Sequence, residues 1–203
     1  MQVKICGLSK LEHVKSCVEL NADFCGFILN YPKSHRFISY KKAKQLSEIK
    51  KKNTKYVGVF VNPTGKELEK YSKLNLDYFQ IYGNLSSFDI KSIKLKYKKK
   101  IIMAIQVQSE KDISKYKIYE NVADIILFDS SGLEKSLSWN FNWIKNIPIV
   151  KMVAGNIDID KLDNISELAD IVDVSGALET NKVKDIDKIK KFIYKIKQIS
   201  HAN

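Results

Sequence analysis

Short runs of β-branched and aromatic residues recur along this chain about every 25 residues, at 2–6, 24–29, 56–61, 78–82, 101–105, 125–129, 149–153 and 171–174. Runs of this length and composition predict strands. Between them, apolar residues fall at three- and four-residue spacing, which predicts amphipathic helices. The stripes are Leu11, Val14, Val18; Ala43, Leu46, Ile49; Leu68, Tyr71, Leu74; and Ile90, Ile93, Tyr97. The last, Ile186, Ile189, Ile193, Ile196, carries lysines on its outer face. Ser9 with Glu12 has capping-box spacing, and Ser39, Asn62-Pro63 and Ser109 precede later helical stretches. Helical segments near 141–144 and 159–168 are weakly patterned.

Eight strands alternating with helices fit a (β/α)8 barrel better than a doubly wound sheet of five or six strands. At 203 residues the chain sits near the lower size of that fold. The whole of 1–203 is therefore expected to be one α/β TIM-barrel domain, with no linker dividing it.

Composition narrows the class. With 44% hydrophobic and 29% charged residues the chain is a globular one. No apolar run approaches the ~20 residues a bilayer requires, so no membrane partner is expected. Residues 1–6 lack signal-peptide architecture, which points to the cytoplasm. Three cysteines and three scattered histidines suggest neither a disulfide framework nor a metal site. The net charge of +12 is spread along the chain, so it argues for an anionic small-molecule substrate rather than nucleic acid. Of the 35 basic residues all but Arg36 are lysine. A lone arginine marks a place where a planar fork is wanted, as for a carboxylate or phosphate.

Barrel active sites lie at the C-terminal ends of the strands. Five of the eight glycines fall just past such ends: Gly7, Gly83, Gly132, Gly155 and Gly176. Cys6 ends the first strand, with Lys4 on its face of the pleat, and is a candidate base or nucleophile. Asp129 follows four apolar residues at the end of strand six, as an acid of raised pKa would. Small residues after strands seven and eight, at Gly155, Asn156, Ser175, Gly176 and Ala177, suit backbone binding of a phosphate.

The segments Lys4-Ile5-Cys6-Gly7-Leu8, Tyr31-Pro32-Lys33-Ser34-His35-Arg36-Phe37, Phe79-Gln80-Ile81-Tyr82-Gly83, Leu127-Phe128-Asp129 and Asp173-Val174-Ser175 occur in the order found in phosphoribosylanthranilate isomerases, which this chain resembles nearly throughout. The resemblance implies a barrel enzyme of tryptophan biosynthesis that uses no cofactor or metal and occurs as a monomer or homodimer. Its reaction is the Amadori rearrangement of N-(5-phosphoribosyl)anthranilate. It implies Cys6 as general base, Asp129 as general acid, Arg36 on the anthranilate carboxylate, and the loops after strands seven and eight on the phosphate. It adds Gln80 as a substrate-binding candidate. The chain departs from the family at Tyr82 (for histidine), Ala154 and Ala177 (each for a glycine), and Lys135-Ser136-Leu137-Ser138 (for a glycine-rich loop). Those changes leave open a related phosphosugar-binding barrel enzyme or a paralogue of weakened activity.

Overall fold

A computed structural model describes residues 1–130 and 137–202. Eight parallel strands close into a barrel in sequence order: β1 (Gln2–Ile5), β2 (Phe24–Ile28), β3 (Lys55–Val61), β4 (Tyr78–Tyr82), β5 (Lys100–Val107), β6 (Ile125–Ser130), β7 (Lys151–Val153) and β8 (Ile171–Val174). The sheet closes where β1 pairs with β8, Lys4 lying opposite Asp173. Every strand expected from the sequence is present, its ends shifted by two residues at most. Such strands are buried on both faces, so they read as continuous apolar runs.

Helices α1 (Leu11–Glu19), α2 (Tyr40–Ser47), α3 (Gly65–Ser72) and α4 (Ser87–Tyr97) follow the first four strands. Three are capped by side chains. Ser39 Oγ accepts the Lys42 N–H, and Thr64–Glu67 and Ser86–Asp89 form reciprocal capping boxes. The expected Ser9–Glu12 box does not form. Helix α1 starts one residue later, with Lys10 at its N-cap and no side-chain cap. Asn62-Pro63 does precede α3, but the capping hydroxyl belongs to Thr64.

The later half is built differently. After β5 comes one helical turn, α5 (Glu110–Ile113), continued as a 3₁₀ segment. After β6 the only helical element among the described residues is a 3₁₀ turn, Phe141–Ile144, and after β7 a 3₁₀ turn leads into the short α6 (Leu162–Ser166). Following β8, a 3₁₀ turn at Gly176–Leu178 leads into an antiparallel ribbon, β9 (Glu179–Thr180) and β10 (Val183–Lys184), before α7 (Ile186–Ala202). Gly132, Lys135 and Ser136, singled out in the sequence, lie outside the described residues.

One apolar core lies between sheet and helices, including Leu46, Leu68, Ile90, Ile189 and Ile193 from the predicted stripes. A second fills the barrel. The period of two puts alternate residues of each strand inside, so successive layers come from alternating strands. Phe24, Tyr78, Ile125 and Ile171 open the even strands and close the lower end, Phe24 and Tyr78 packing edge-on at 5.6 Å. Above them stand Val57, Ile102 and Met152 beside Lys4, then Leu127 beside Gln80 and Asp173. Polar interior groups thus accumulate towards the C-terminal ends. Among the described residues no helix is long and apolar enough to cross a membrane.

Candidate active site

The C-terminal mouth of the barrel holds a cavity of about 470 Å³. Cys6, Asp129, Arg36, Gly155, Asn156, Ser175, Gly176 and Ala177 all line it. Gln80 does not. It is fully buried one layer lower, where its Nε2 donates to the Tyr82 hydroxyl at 3.2 Å and its Oε1 has no partner. Its interior position on β4 is two residues short of the mouth.

Cys6 follows β1, and its thiol is buried beside Lys4. Lys4 donates to both carboxylate oxygens of Asp173, at 3.0 and 2.9 Å, with neither side chain meaningfully exposed. A Cβ at Gly26 would lie 3.0 Å from both the Cys6 Sγ and the Lys4 Nζ, so glycine leaves room for this group. Burial pushes the thiol pKa up, while the Lys4 charge pulls it back. Burial alone would lower the Lys4 pKa. The charges of Asp173 and the thiol outweigh that, so the amine stays protonated.

Asp129 lies across the mouth at the end of β6. Its Oδ2 accepts from the Tyr82 hydroxyl at 2.8 Å and its Oδ1 from the Ser130 N–H at 2.7 Å. Burial pushes its pKa up to about 6, against the Tyr82 hydrogen bond, and the Asp173 charge adds to the rise. The phenol remains a donor, because burial and the Asp129 charge push its own pKa well above the usual value.

The two phosphate-loop candidates sit side by side. Gly155 has φ +118°, and a Cβ there would come within 2.9 Å of the Leu137 carbonyl and the Trp139 ring, so only glycine fits. Trp139 Nε1 donates to the Ala154 carbonyl at 2.8 Å, and Asn156 Nδ2 to Ser138 Oγ at 2.9 Å, so both brace this loop. In the next loop, internal bonding of the 3₁₀ turn starts with the Leu178 N–H on the Ser175 carbonyl. The N–H groups of Gly176 and Ala177 precede that bond and take no part in it. Ser175 Oγ donates to the Cys6 carbonyl at 3.0 Å, joining this loop to the thiol strand.

Arg36 reaches the cavity from the loop after β2, its stem lying over Gly7. Its Nε and Nη2 donate to Glu179 at 2.6 and 2.9 Å. Glu179, Lys184, Tyr82 and Asp173 are the functional candidates that the sequence reading did not assign a role. Ile28, Val59 and Val61 give the cavity an apolar stretch of wall. Among the described residues no three His, Cys, Asp or Glu side chains gather as a metal site would need.

A statistical model of the family described as N-(5'-phosphoribosyl)anthranilate (PRA) isomerase matches residues 3–195. The N-(5'-phosphoribosyl)anthranilate isomerase of Bacillus cereus (strain B4264) is 32% identical, over 98% of this chain and all of its own. A structure of monomers of the dimeric phosphoribosylanthranilate isomerase from Thermotoga maritima superposes with TM-score 0.86 at 29% identity, covering 98% of this chain and 99% of that one. A phosphoribosyl anthranilate isomerase in complex with reduced 1-(o-carboxyphenylamino)-1-deoxyribulose 5-phosphate superposes with TM-score 0.85, at 29% identity and the same coverage. With its barrel and its match both running nearly end to end, this chain belongs to the N-(5'-phosphoribosyl)anthranilate isomerase family and is an isomerase of tryptophan biosynthesis.

Proposed function

We propose that this chain converts N-(5-phosphoribosyl)anthranilate into 1-(2-carboxyphenylamino)-1-deoxyribulose 5-phosphate, with Asp129 as general acid and Cys6 as general base. The carrying observation is that the two groups, 123 positions apart in the chain, line one cavity on surroundings that shift their pKa values. Asp129 protonates the furanose ring oxygen, the C1–O bond breaks, and the nitrogen lone pair forms a Schiff base at C1. Its raised pKa suits a carboxyl that must still carry a proton near neutrality. Cys6, as thiolate, removes the proton from C2. The resulting enolamine gains a proton at C1 and loses its hydroxyl proton, leaving the C2 ketone. Lys4 faces the thiol and is the counter-charge for its ionised form.

The remaining substrate groups have partners of matching chemistry. The Gly155–Asn156 and Ser175–Ala177 loops offer backbone N–H groups to the phosphate. Arg36 offers a fork to the anthranilate carboxylate, and Ile28, Val59 and Val61 offer an apolar wall to its ring. The phosphate and carboxylate are remote from the reacting carbons, so holding them favours the transition state by orientation.

The test follows loss of fluorescence of the anthranilate–sugar adduct with purified protein. Turnover is expected from the wild type and should fall at least ~100-fold in Cys6→Ala and in Asp129→Asn. A folded variant with near-wild-type rate would overturn the assigned roles. Full activity on another phosphosugar, without activity on this one, would overturn the substrate.

A further inference from the structure

Arg36 is gripped by side chains of its own chain. Glu179 Oε1 takes Arg36 Nε at 2.6 Å and Lys184 Nζ at 2.6 Å, while Oε2 takes Arg36 Nη2 at 2.9 Å and His35 Nε2 at 3.1 Å. Glu179 opens the β9–β10 ribbon and Lys184 closes it, paired in register. A carboxylate so placed has two possible roles. It could stand in for a ligand carboxylate and be ejected by it, or it could be a fixed strut.

The geometry favours the strut. The side chains of Glu179 and Lys184 are 8% and 2% exposed. Lys184 also donates to the Ser175 carbonyl and Oγ, at 3.0 and 3.1 Å. Ejecting Glu179 would leave a buried ammonium without its counter-charge, which is strongly unfavourable. The grip is side-on. It uses the Nε–H and one Nη2–H of the five guanidinium donors, leaving the end-on pair of Nη groups for a second carboxylate. From below, Gly7, with φ +76°, admits the Arg36 stem where any Cβ would collide with its Cδ.

We infer that Glu179 is a positioning residue for carboxylate recognition: it locks Arg36 edge-on so that the free end of the fork faces the anthranilate carboxylate, and Lys184 ties that bracket to the Ser175 loop. This rests on the reading that Arg36 receives that carboxylate.

The experiment compares two probes by calorimetry. One is reduced 1-(o-carboxyphenylamino)-1-deoxyribulose 5-phosphate; the other is its phenylamino counterpart lacking the carboxyl. The ratio of their Kd values measures carboxylate discrimination. The wild type is expected to favour the first at least ~10-fold, and Glu179→Gln to lose about tenfold of that ratio. The phenylamino Kd is expected to stay within about twofold, reporting a folded site. Removing a negative charge would by itself strengthen binding of an anion. An unchanged or larger ratio in Glu179→Gln therefore overturns the inference. Glu179→Asp keeps the charge but shortens the reach. It too is expected to lower the ratio, an unchanged ratio again overturning the inference, and it serves if Glu179→Gln does not fold. Arg36→Met separates the layers. If it leaves the ratio intact, the Arg36 reading fails; if it abolishes the ratio while both Glu179 variants keep it, only the strut fails.

Discussion

The two sides of the barrel mouth support their proposed proton-transfer groups, Cys6 and Asp129, in opposite ways. Beneath Cys6 lies a buried ion pair, Lys4 with Asp173, whose carboxylate residue also lines the cavity. Beneath Asp129 lies a neutral stack, Gln80 under Tyr82. Burial works against the charged form on both sides. On the thiol side the nearby Lys4 charge is the main force opposing it; on the carboxyl side the neutral Tyr82 hydroxyl and Ser130 N–H come first, and the Lys4 charge is a lesser contribution. An acid flanked by a neutral donor keeps its proton to a higher pH, whereas a base needs a cation to hold its anion. A shared barrel interior can therefore run both halves of one proton shuttle, provided the charges are placed asymmetrically.

The contrast breaks most severely at the groups themselves. Cys6→Ala and Asp129→Asn should each lower kcat by ~10²–10⁴-fold with unchanged circular dichroism. In the wild type, kcat/KM should be bell-shaped, with its acid limb near the Asp129 pKa of about 6 and its alkaline limb above the ordinary thiol value. Next in size is Lys4→Met, which strands Asp173 as a buried lone charge and should cost about 3–5 kcal/mol in urea unfolding. Adding Asp173→Asn should recover much of that stability yet leave the alkaline limb displaced upwards, since the cation facing the thiol is still missing. Recovery of the limb as well would show that Lys4 does not tune Cys6.

Asp129 also links pH to stability. Its folded pKa lies above the unfolded one, so the folded state holds the proton more tightly, and stability should fall as pH rises from about 4 to about 6. Asp129→Asn removes that loss. Relative to wild type it should gain on the order of 2 kcal/mol at pH 8 over pH 4, allowing for partial exposure. The smallest effect belongs to Tyr82→Phe. Losing the phenol should cost ~1 kcal/mol and move the acid limb to higher pH, because a donor to the carboxylate is gone. A limb moving to lower pH would remove the neutral-stack account.

Legibility in the sequence followed the physics of each element. The strands and helices α1 to α4 and α7 carry long periodic stripes, so their existence and order were readable. The turns after β6 and β7 are too short for a helical period to register. The β9–β10 ribbon gave no sign because its two turn residues, Asn181 and Lys182, take φ of +51° and +63° without the glycine that usually marks such a turn. Cys6, Arg36 and Asp129 could be named from strand-end position, the scarcity of arginine and the family resemblance. What Lys4 and Arg36 pair with could not, since Asp173 and Glu179 stand 169 and 143 residues away. The expectation for Gln80 came from its motif alone, and the pleat places it below the cavity.

The seam between β1 and β8 carries a consequence for how the molecule is made. During synthesis the first strand leaves the ribosome with Lys4 committed to the interior, and its partner is translated 169 codons later. At ~5–20 residues per second that delay is about 10–30 s. Through that interval the nascent barrel is an open sheet whose first edge bears an ammonium facing inward, a feature that discourages pairing with a neighbouring chain. Arrival of the eighth strand neutralises that ammonium and completes the floor of the cavity in one event.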